Sequence, residues 1–162
     1  LPFDHGFPAR LVVPGLYGYV SATKWLSEIE LATLTAFGAY WIRRGWAKRA
    51  PVKTQSRIDI PRRQAKVDAG PQQAAGFAWA PTRGIDKVEV QIDGGLWSEA
   101  RLGEALTADS WRRWAYAFDA TPGNHVISVR ATDGDGQTQT SKVQQPRPDG
   151  ATGYHFVRFG VS

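Results

Sequence analysis

The sequence contains no cysteine. Disulfides, thiolate metal sites and cysteine nucleophiles are therefore excluded from the chain itself. The redox compartment stays open, because a cysteine-free domain suits any of them. Methionine is absent too, and the opening LPFDHG has neither an initiating residue nor the basic-then-apolar pattern of an export signal. The expectation is a processed or cut-down chain. No run of roughly eighteen apolar residues occurs, so no helical membrane span is encoded. The three histidines, His5, His125 and His155, stand too far apart for a sequence-local zinc site.

Negative charge is scarce in one part only. Through Lys66, eleven Lys and Arg face four Asp and Glu, whereas from Val67 onward nine face eleven. The basic character thus belongs to the first part, where it suits either an anionic partner or, over Arg43–Lys66, a solvated Arg-rich surface. The cations form no recognisable DNA- or RNA-reading motif, so nucleic acid is not expected. A length of 162 residues, with 42% hydrophobic and 22% charged residues, fits one domain or one domain plus a fragment.

The first fifty residues carry weak structural signals. RLVV (10–13) predicts a short buried strand ending at the turn pair Pro14-Gly15. In KWLSEIEL, Trp25, Ser27, Ile29 and Leu31 alternate against Leu26, Glu28 and Glu30, which predicts a second strand. Residues 36–50 (AFGAYWIRRGWAKRA) have aromatics and cations but no period, and read as a surface connector anchored by Trp41 and Trp46.

From Pro51 the alternation becomes regular. VKTQSRIDI predicts a strand with Val52, Thr54, Ser56, Ile58 and Ile60 on one face, stopped by Pro61. GFAWA (76–80) and IDKVEVQID (85–93) suit strands on either side of the turn PTRG. DGGLW (93–97) signals a hairpin, since Asp-Gly and Gly-Gly supply the positive φ that tight hairpins need, and WSEARL returns. WRRWAYAFDA (111–120) places Trp114, Tyr116 and Phe118 on one face, and HVISVRATD (125–133) turns Ile127, Val129 and Ala131 inward. DGDGQTQ then turns and returns. The DGDG loop lacks the spacing and terminal Glu of a calcium-binding EF-hand and reads as a plain turn. Short strands with Gly-rich turns over 51–162 predict an antiparallel β-sandwich of immunoglobulin-like size, roughly 100 residues. Trp79, Trp97, Trp114 and Phe118 are expected in its core, with a sugar-stacking platform as the rival reading of these rings.

Two groups of motifs carry a family resemblance. HGFPARLVVPGLYGY followed by TKWL resembles the segment that closes the cofactor domain of the sulfite oxidase family of molybdopterin enzymes. GFAWAPTRGIDKVEVQIDGGLWSEARL, then WRRWAYAFDATPGNHVISVRATDGDGQTQ, resembles the dimerisation domain that follows it. The fold implied is mainly β: an immunoglobulin-like antiparallel β-sandwich preceded by a fragment of the sulfite oxidase-type cofactor domain. Residues 1–35 correspond to the C-terminal fragment of the molybdopterin-binding domain, 36–50 to a basic connector and 51–162 to the dimerisation domain.

The resemblance also implies roles. His5 and Arg10 fall where the family contacts the cofactor or the anion pocket beside it. Lys24, with the preceding backbone of Ala22 and Thr23, falls where the pterin's phosphate end is bound. Arg and Lys supply the charge-assisted donors a phosphate needs, and glycines between Pro14 and Lys24 let backbone N–H groups approach. The molybdenum-coordinating cysteine of the family would lie upstream. Molybdopterin is thus expected in the full-length parent and not on this chain, which should have no catalytic residue of its own and be inert alone. LYGYVSATKWL lacks the Arg and His of the GARHVKWL-like animal form and resembles a bacterial branch, so sulfite is not implied as substrate. The implied partners are a second copy, through the β-sandwich, and the upstream cofactor domain. The compartment stays open, a membrane-associated or extracytoplasmic parent included. The alternative is a free-standing β-sandwich module that binds carbohydrate or protein.

Overall fold

Most of the apolar–polar alternation lies after residue 52, and so does most of the strand. The computed structural model describes residues 1–162, which divide into two units: Leu1–Val52 with Gln144–Ala151, and Lys53–Val143 with Thr152–Ser162. No helix is long and apolar enough to cross a membrane.

The first unit has little regular structure. Strands β1 (Leu11–Val12) and β2 (Ala22–Thr23) pair antiparallel, with Leu11 opposite Thr23 and Val12 opposite Ala22. A one-turn helix, Gly18–Ser21, lies between them. Buried Ser21 donates its hydroxyl to the Leu16 carbonyl at 3.1 Å. The Tyr19 hydroxyl reaches the carbonyls of Ala47 and Pro148 at 2.9 and 3.2 Å, while the Ala47 N–H donates to the same Pro148 carbonyl. Tyr19 also packs its ring on Trp46, which meets Trp41 edge-on. Segment 144–151 is in this way tied to residues 17–50 by hydrogen bonds that no local pattern announces.

Two expectations fail in this unit. The strand at RLVV forms, but it is exposed rather than buried. KWLSEIEL forms no strand, and Ile29 and Leu31 face solvent. The cause is local: Trp25 adopts φ 52°, which turns the chain off the β1 ladder right after β2. Alternation specifies a strand only where a partner supplies the hydrogen bonds and a surface covers the apolar face. Residues 36–50 contain a single 3₁₀ turn, Ile42–Arg44, with Trp46 half-buried and Trp41 exposed.

The second unit is a β-sandwich. Its strands are β3 (Gln55–Ile60), β4 (Lys66–Val67), β5 (Gly70–Trp79), β6 (Ile85–Ile92), β7 (Ser98–Glu99), β8 (Arg101–Leu102), β9 (Arg112–Ala120), β10 (Gly123–Asp133) and β11 (His155–Val161). One sheet runs β4-β11-β10-β6-β7 and the other β3-β5-β9-β8. All pairs are antiparallel except β11 with β4. Val88, Val90, Ile127, Val129 and Phe159 of the first sheet meet Ile58, Ala74, Ala78 and Trp114 of the second in a closed apolar core. Gly76 is required where β3 and β5 pass: a Cβ there would lie 1.9 Å from the Arg57 carbonyl oxygen and 3.0 Å from the Trp114 ring. After the Asp93–Gly94 turn, with φ of 51° and 72°, WSEARL changes sheets. Its first half pairs with β6, its second with β9, and buried Ala100 marks the crossing.

Several details depart from the sequence-based expectation. Strand β5 extends back to Gly70, and β11 was not foreseen. The return of DGDGQTQ is a single Thr132–Thr138 bridge, because β11 takes the edge of β10 instead. Ile60 is exposed because the β3–β5 register shifts between Ile58 and Ile60. Of the four aromatics assigned to the core, Trp114 is fully buried and Phe118 packs partly in, against Phe159. Trp79 and Trp97 are not core. Trp79 has the outward parity of β5 and stacks with Trp111, and Trp97 meets Tyr154 and the Arg130 guanidinium. Asp133 closes the DGDG turn: Oδ1 accepts the N–H groups of Asp135 and Gln137, and Oδ2 accepts from Thr54 Oγ1 and Arg83 Nε at 2.6 and 2.9 Å.

Candidate functional site

The cationic strip at the start of the chain is held by backbone bonds to the segment after β2. Phe3–His5 forms a 3₁₀ turn that ends at Gly6, which is buried with φ 117°. A Cβ at Gly6 would press 3.1 Å from the Lys24 Cβ, so glycine lets the two segments touch. The Trp25 N–H donates to the Gly6 carbonyl and the Leu26 N–H to the Ala9 carbonyl, both at 3.3 Å, and the Trp25 indole N–H donates to Phe3 at 2.8 Å.

All five residues singled out from the sequence lie on this hairpin or its flanks. His5 and Arg10 precede β1, Ala22 and Thr23 are β2, and Lys24 follows it. Ala22 is half-buried, and His5, Arg10, Thr23 and Lys24 are exposed. Lys24 Nζ sits 4.7 Å above the Trp25 ring, and no carboxylate pairs with Arg10 or Lys24. Two cations without a carboxylate partner, flanking the β1–β2 pair, are donors suited to an anion. The set fits the phosphate end of a cofactor such as molybdopterin and does not fit its metal. There is no thiol, and no three His, Cys, Asp or Glu side chains gather at one point.

The second unit carries a basic recess that the sequence reading missed. Arg62, Arg63, His155 and Arg158 line a cavity of about 810 Å³, with Phe156 on its wall. His155 Nδ1 accepts the Ile58 N–H at 3.0 Å, which requires that nitrogen unprotonated. Burial, then the nearby Arg57 charge, pushes this imidazole below its ordinary value. Arg57 itself is held by Asp59 at 2.8 Å. The pair Arg62-Arg63 directly after Pro61, inside the basic first part, was the available signal. His155 and Arg158 carry no such signal, since they stand singly on β11, far along the sequence from that pair.

Residues 1–41 match the family described as the oxidoreductase molybdopterin binding domain. The mitochondrial sulfite oxidase of Mus musculus is 34% identical over 137 residues, which cover 70% of this chain and 25% of that protein. That of Homo sapiens is 31% identical over 152 residues, covering 80% and 28%. The sulfite oxidase of Arabidopsis thaliana is 28% identical over 171 residues, covering 87% and 43%. The chain therefore spans about a quarter of the mammalian relatives and less than half of the plant one. The sulfane dehydrogenase SoxCD from Paracoccus pantotrophus shares the fold over the whole chain and 48% of its own, with a TM-score of 0.71 at 24% identity.

Proposed function

This chain belongs to the sulfite oxidase family and corresponds to the C-terminal part of one of its molybdopterin oxidoreductases, and on that premise we propose that it supplies part of the cofactor pocket and a subunit-pairing β-sandwich. The carrying observation is the backbone locking of the Gly6–Ala9 strip onto Trp25–Leu26, which leaves Arg10 and Lys24 without counter-charges. Arg10 and Lys24 bind the anionic end of molybdopterin, His5 lines the adjoining anion pocket, and Ala22 and Thr23, paired with β1, hold Lys24 in place. The bound group supplies the redox chemistry, and the thiolate that holds its metal comes from outside this chain, which is inert alone. Exposed Leu11, Val12, Ile29 and Leu31 give the first unit apolar surface to place against the remainder of a cofactor domain.

Pairing of subunits is assigned to the outer face of the β3-β5-β9-β8 sheet. There Phe77, Trp79 and exposed Trp111 form an aromatic cluster beside Arg57. A two-fold contact would use the same patch on both copies. The stacked Trp79–Trp111 pair, 5.8 Å between centroids, also favours the alternative of a carbohydrate-binding module.

Two measurements test the reading. In the molybdenum-loaded protein that carries this segment, Lys24→Ala and Arg10→Ala should each lower pterin and molybdenum content about tenfold or more, the worth of one charge-assisted bond. Unchanged content would remove the pocket assignment. Sedimentation should show a dimer that Trp111→Ala shifts toward monomer. A monomer at every concentration, with glycan binding lost on the same substitution, would transfer the assignment to the carbohydrate module.

A further inference from the structure

Strand β11 runs from His155 to Val161, but β4 covers its outer edge only at Gly160 and Val161. In its antiparallel ladder with β10, successive residues point both backbone groups alternately toward the partner and away from it. The Arg158 carbonyl accepts the Gln64 N–H at 2.7 Å and the Gly160 N–H donates to Ala65, so residues of this parity face outward. Phe156 shares the parity, and its outward N–H and C=O meet no backbone partner. An open strand edge of this kind is a template for a further strand.

Residues 155–158 of that strand form one wall of the basic recess between β11 and the end of β3. Arg62, Arg63 and Arg158 are exposed, and none of the three meets a carboxylate. The carboxylate of the recess, Asp59, is held by Arg57 at 2.8 Å, and His155 uses Nδ1 on the Ile58 N–H. Arg158 stands 5.1 Å over the half-exposed ring of Phe156, and exposed Ile60 adds a second apolar surface. Three cations along an open edge repel a second copy of that edge. The same charge attracts a strand of opposite sign.

We propose that this recess docks an extended acidic peptide segment, which adds to the outer edge of β11 at Phe156 and sets its carboxylates on Arg62, Arg63 and Arg158. Main-chain bonds to Phe156 give the grip, and the guanidinium–carboxylate pairs give the selection. Neither the cationic strip around Lys24 nor the aromatic cluster assigned to subunit pairing takes part, so the site stands apart from both.

The test is a titration of a labelled hexapeptide of alternating glutamate and valine with the wild-type chain at low salt, read by fluorescence anisotropy. Binding should saturate, and lysine in place of glutamate should abolish it. Methylating every backbone nitrogen of the peptide keeps its charge but removes its N–H donors, and should weaken binding about tenfold or more. The variant carrying Arg62→Gln, Arg63→Gln and Arg158→Gln should weaken it as much. Arg62→Gln with Arg63→Gln serves if that variant does not fold. Hydrogen exchange of the Phe156 amide should slow when the peptide binds. No saturable binding, equal binding of the methylated peptide, or unchanged binding to the arginine variants each overturns the proposal. So does unchanged exchange at Phe156, or displacement by inorganic phosphate at the peptide's own concentration, which would mark an oxyanion site instead.

Discussion

The two units treat their apolar residues in opposite ways. In the sandwich, Val88, Val90, Ile127 and Val129 are all at most 1% exposed, closed between the two sheets. In the first unit the long apolar side chains of Leu11, Val12, Ile29, Leu31 and Phe37 face outward, and the buried apolar residues are only Ala50 and Val52. Apolar burial drives folding at about 25 cal/mol per Å², so the sandwich holds itself together while the first unit depends on its hydrogen bonds to Ala47, Pro148 and Gly15. The difference teaches that an alternating pattern states a possibility, which is realised only when a second surface arrives to cover it.

Trp114→Ala is the substitution with the largest expected effect. It removes the biggest fully buried side chain and should cost about 3–5 kcal/mol, read from the urea midpoint at unchanged slope. Trp114→Phe sharpens the result. The indole N–H is buried without a partner, so the phenylalanine variant loses some packing but also an unmatched donor, and should cost far less. If both variants cost alike, the ring's volume is not what holds the two sheets.

Next in size is Asp133. Burial alone would push its carboxyl up, but hydrogen bonds from Thr54, Arg83 and the Gln137 N–H outweigh it and hold the group below the ordinary carboxylate value. Asp133→Ala leaves Arg83 and two turn N–H groups without their acceptor and should cost about 3 kcal/mol at neutral pH. Because the folded value is depressed, the stabilisation is present above the ordinary carboxylate range and is lost as pH falls through the depressed value. Wild type and variant should therefore converge in acid. A gap that persists there would assign the loss to turn geometry rather than charge.

Two histidines make a smaller, opposed contribution. His125 bridges Asp93 at 2.6 Å and the Thr121 carbonyl at 2.7 Å, and these bonds, Asp93 first, raise its pKa above 6.5. Its stabilisation is complete below that value and is lost as pH rises through the raised one. His155 is lowered from 6.5 by burial, so its contribution is present above 6.5 and is lost as pH falls through the lowered value. His125→Gln should remove the loss on the alkaline side and leave that on the acid side, and His155→Gln the reverse. Denaturation midpoints between pH 5 and 8 read both, and a variant that changes the opposite limb would refute the assignment.

How much of this was legible follows the same contrast. Strands β6, β9 and β10 were visible because their period-two pattern coincides with a covered face. The turn at Asp93–Gly94 was visible because its chemistry is local. Trp79 was misassigned because GFAWA continues a strand that begins six residues earlier and turns Gly76 and Ala78 inward, and Trp97 because it lies in the loop before β7, where no strand parity applies. Of the candidate site, the residue types and their order were legible in HGFPAR and TKWL. Their juxtaposition through Gly6 and Lys24 was not, since it depends on tertiary backbone bonds. The recess formed by Arg62, Arg63, His155 and Arg158 joins β11 to the end of β3, a pairing between distant segments that no local pattern encodes.

The smallest expected effect is the most direct probe of the comparison. Leu31 is 98% exposed in a stretch without regular structure, and Leu31→Ser removes an apolar side chain that buries nothing in this chain. Surface substitutions of this kind stay within about 0.5 kcal/mol, so the urea midpoint should barely move. The same substitution in a protein that also holds the remainder of the cofactor domain should cost more, because there the side chain has a surface to lose. A small effect in both settings would mean that residues 26–35 are solvated in that larger protein as well, and that the exposed apolar face of the first unit is covered by nothing. A large effect in the 162-residue chain itself would mean that Leu31 is buried in solution, and the contrast between the two units would then disappear.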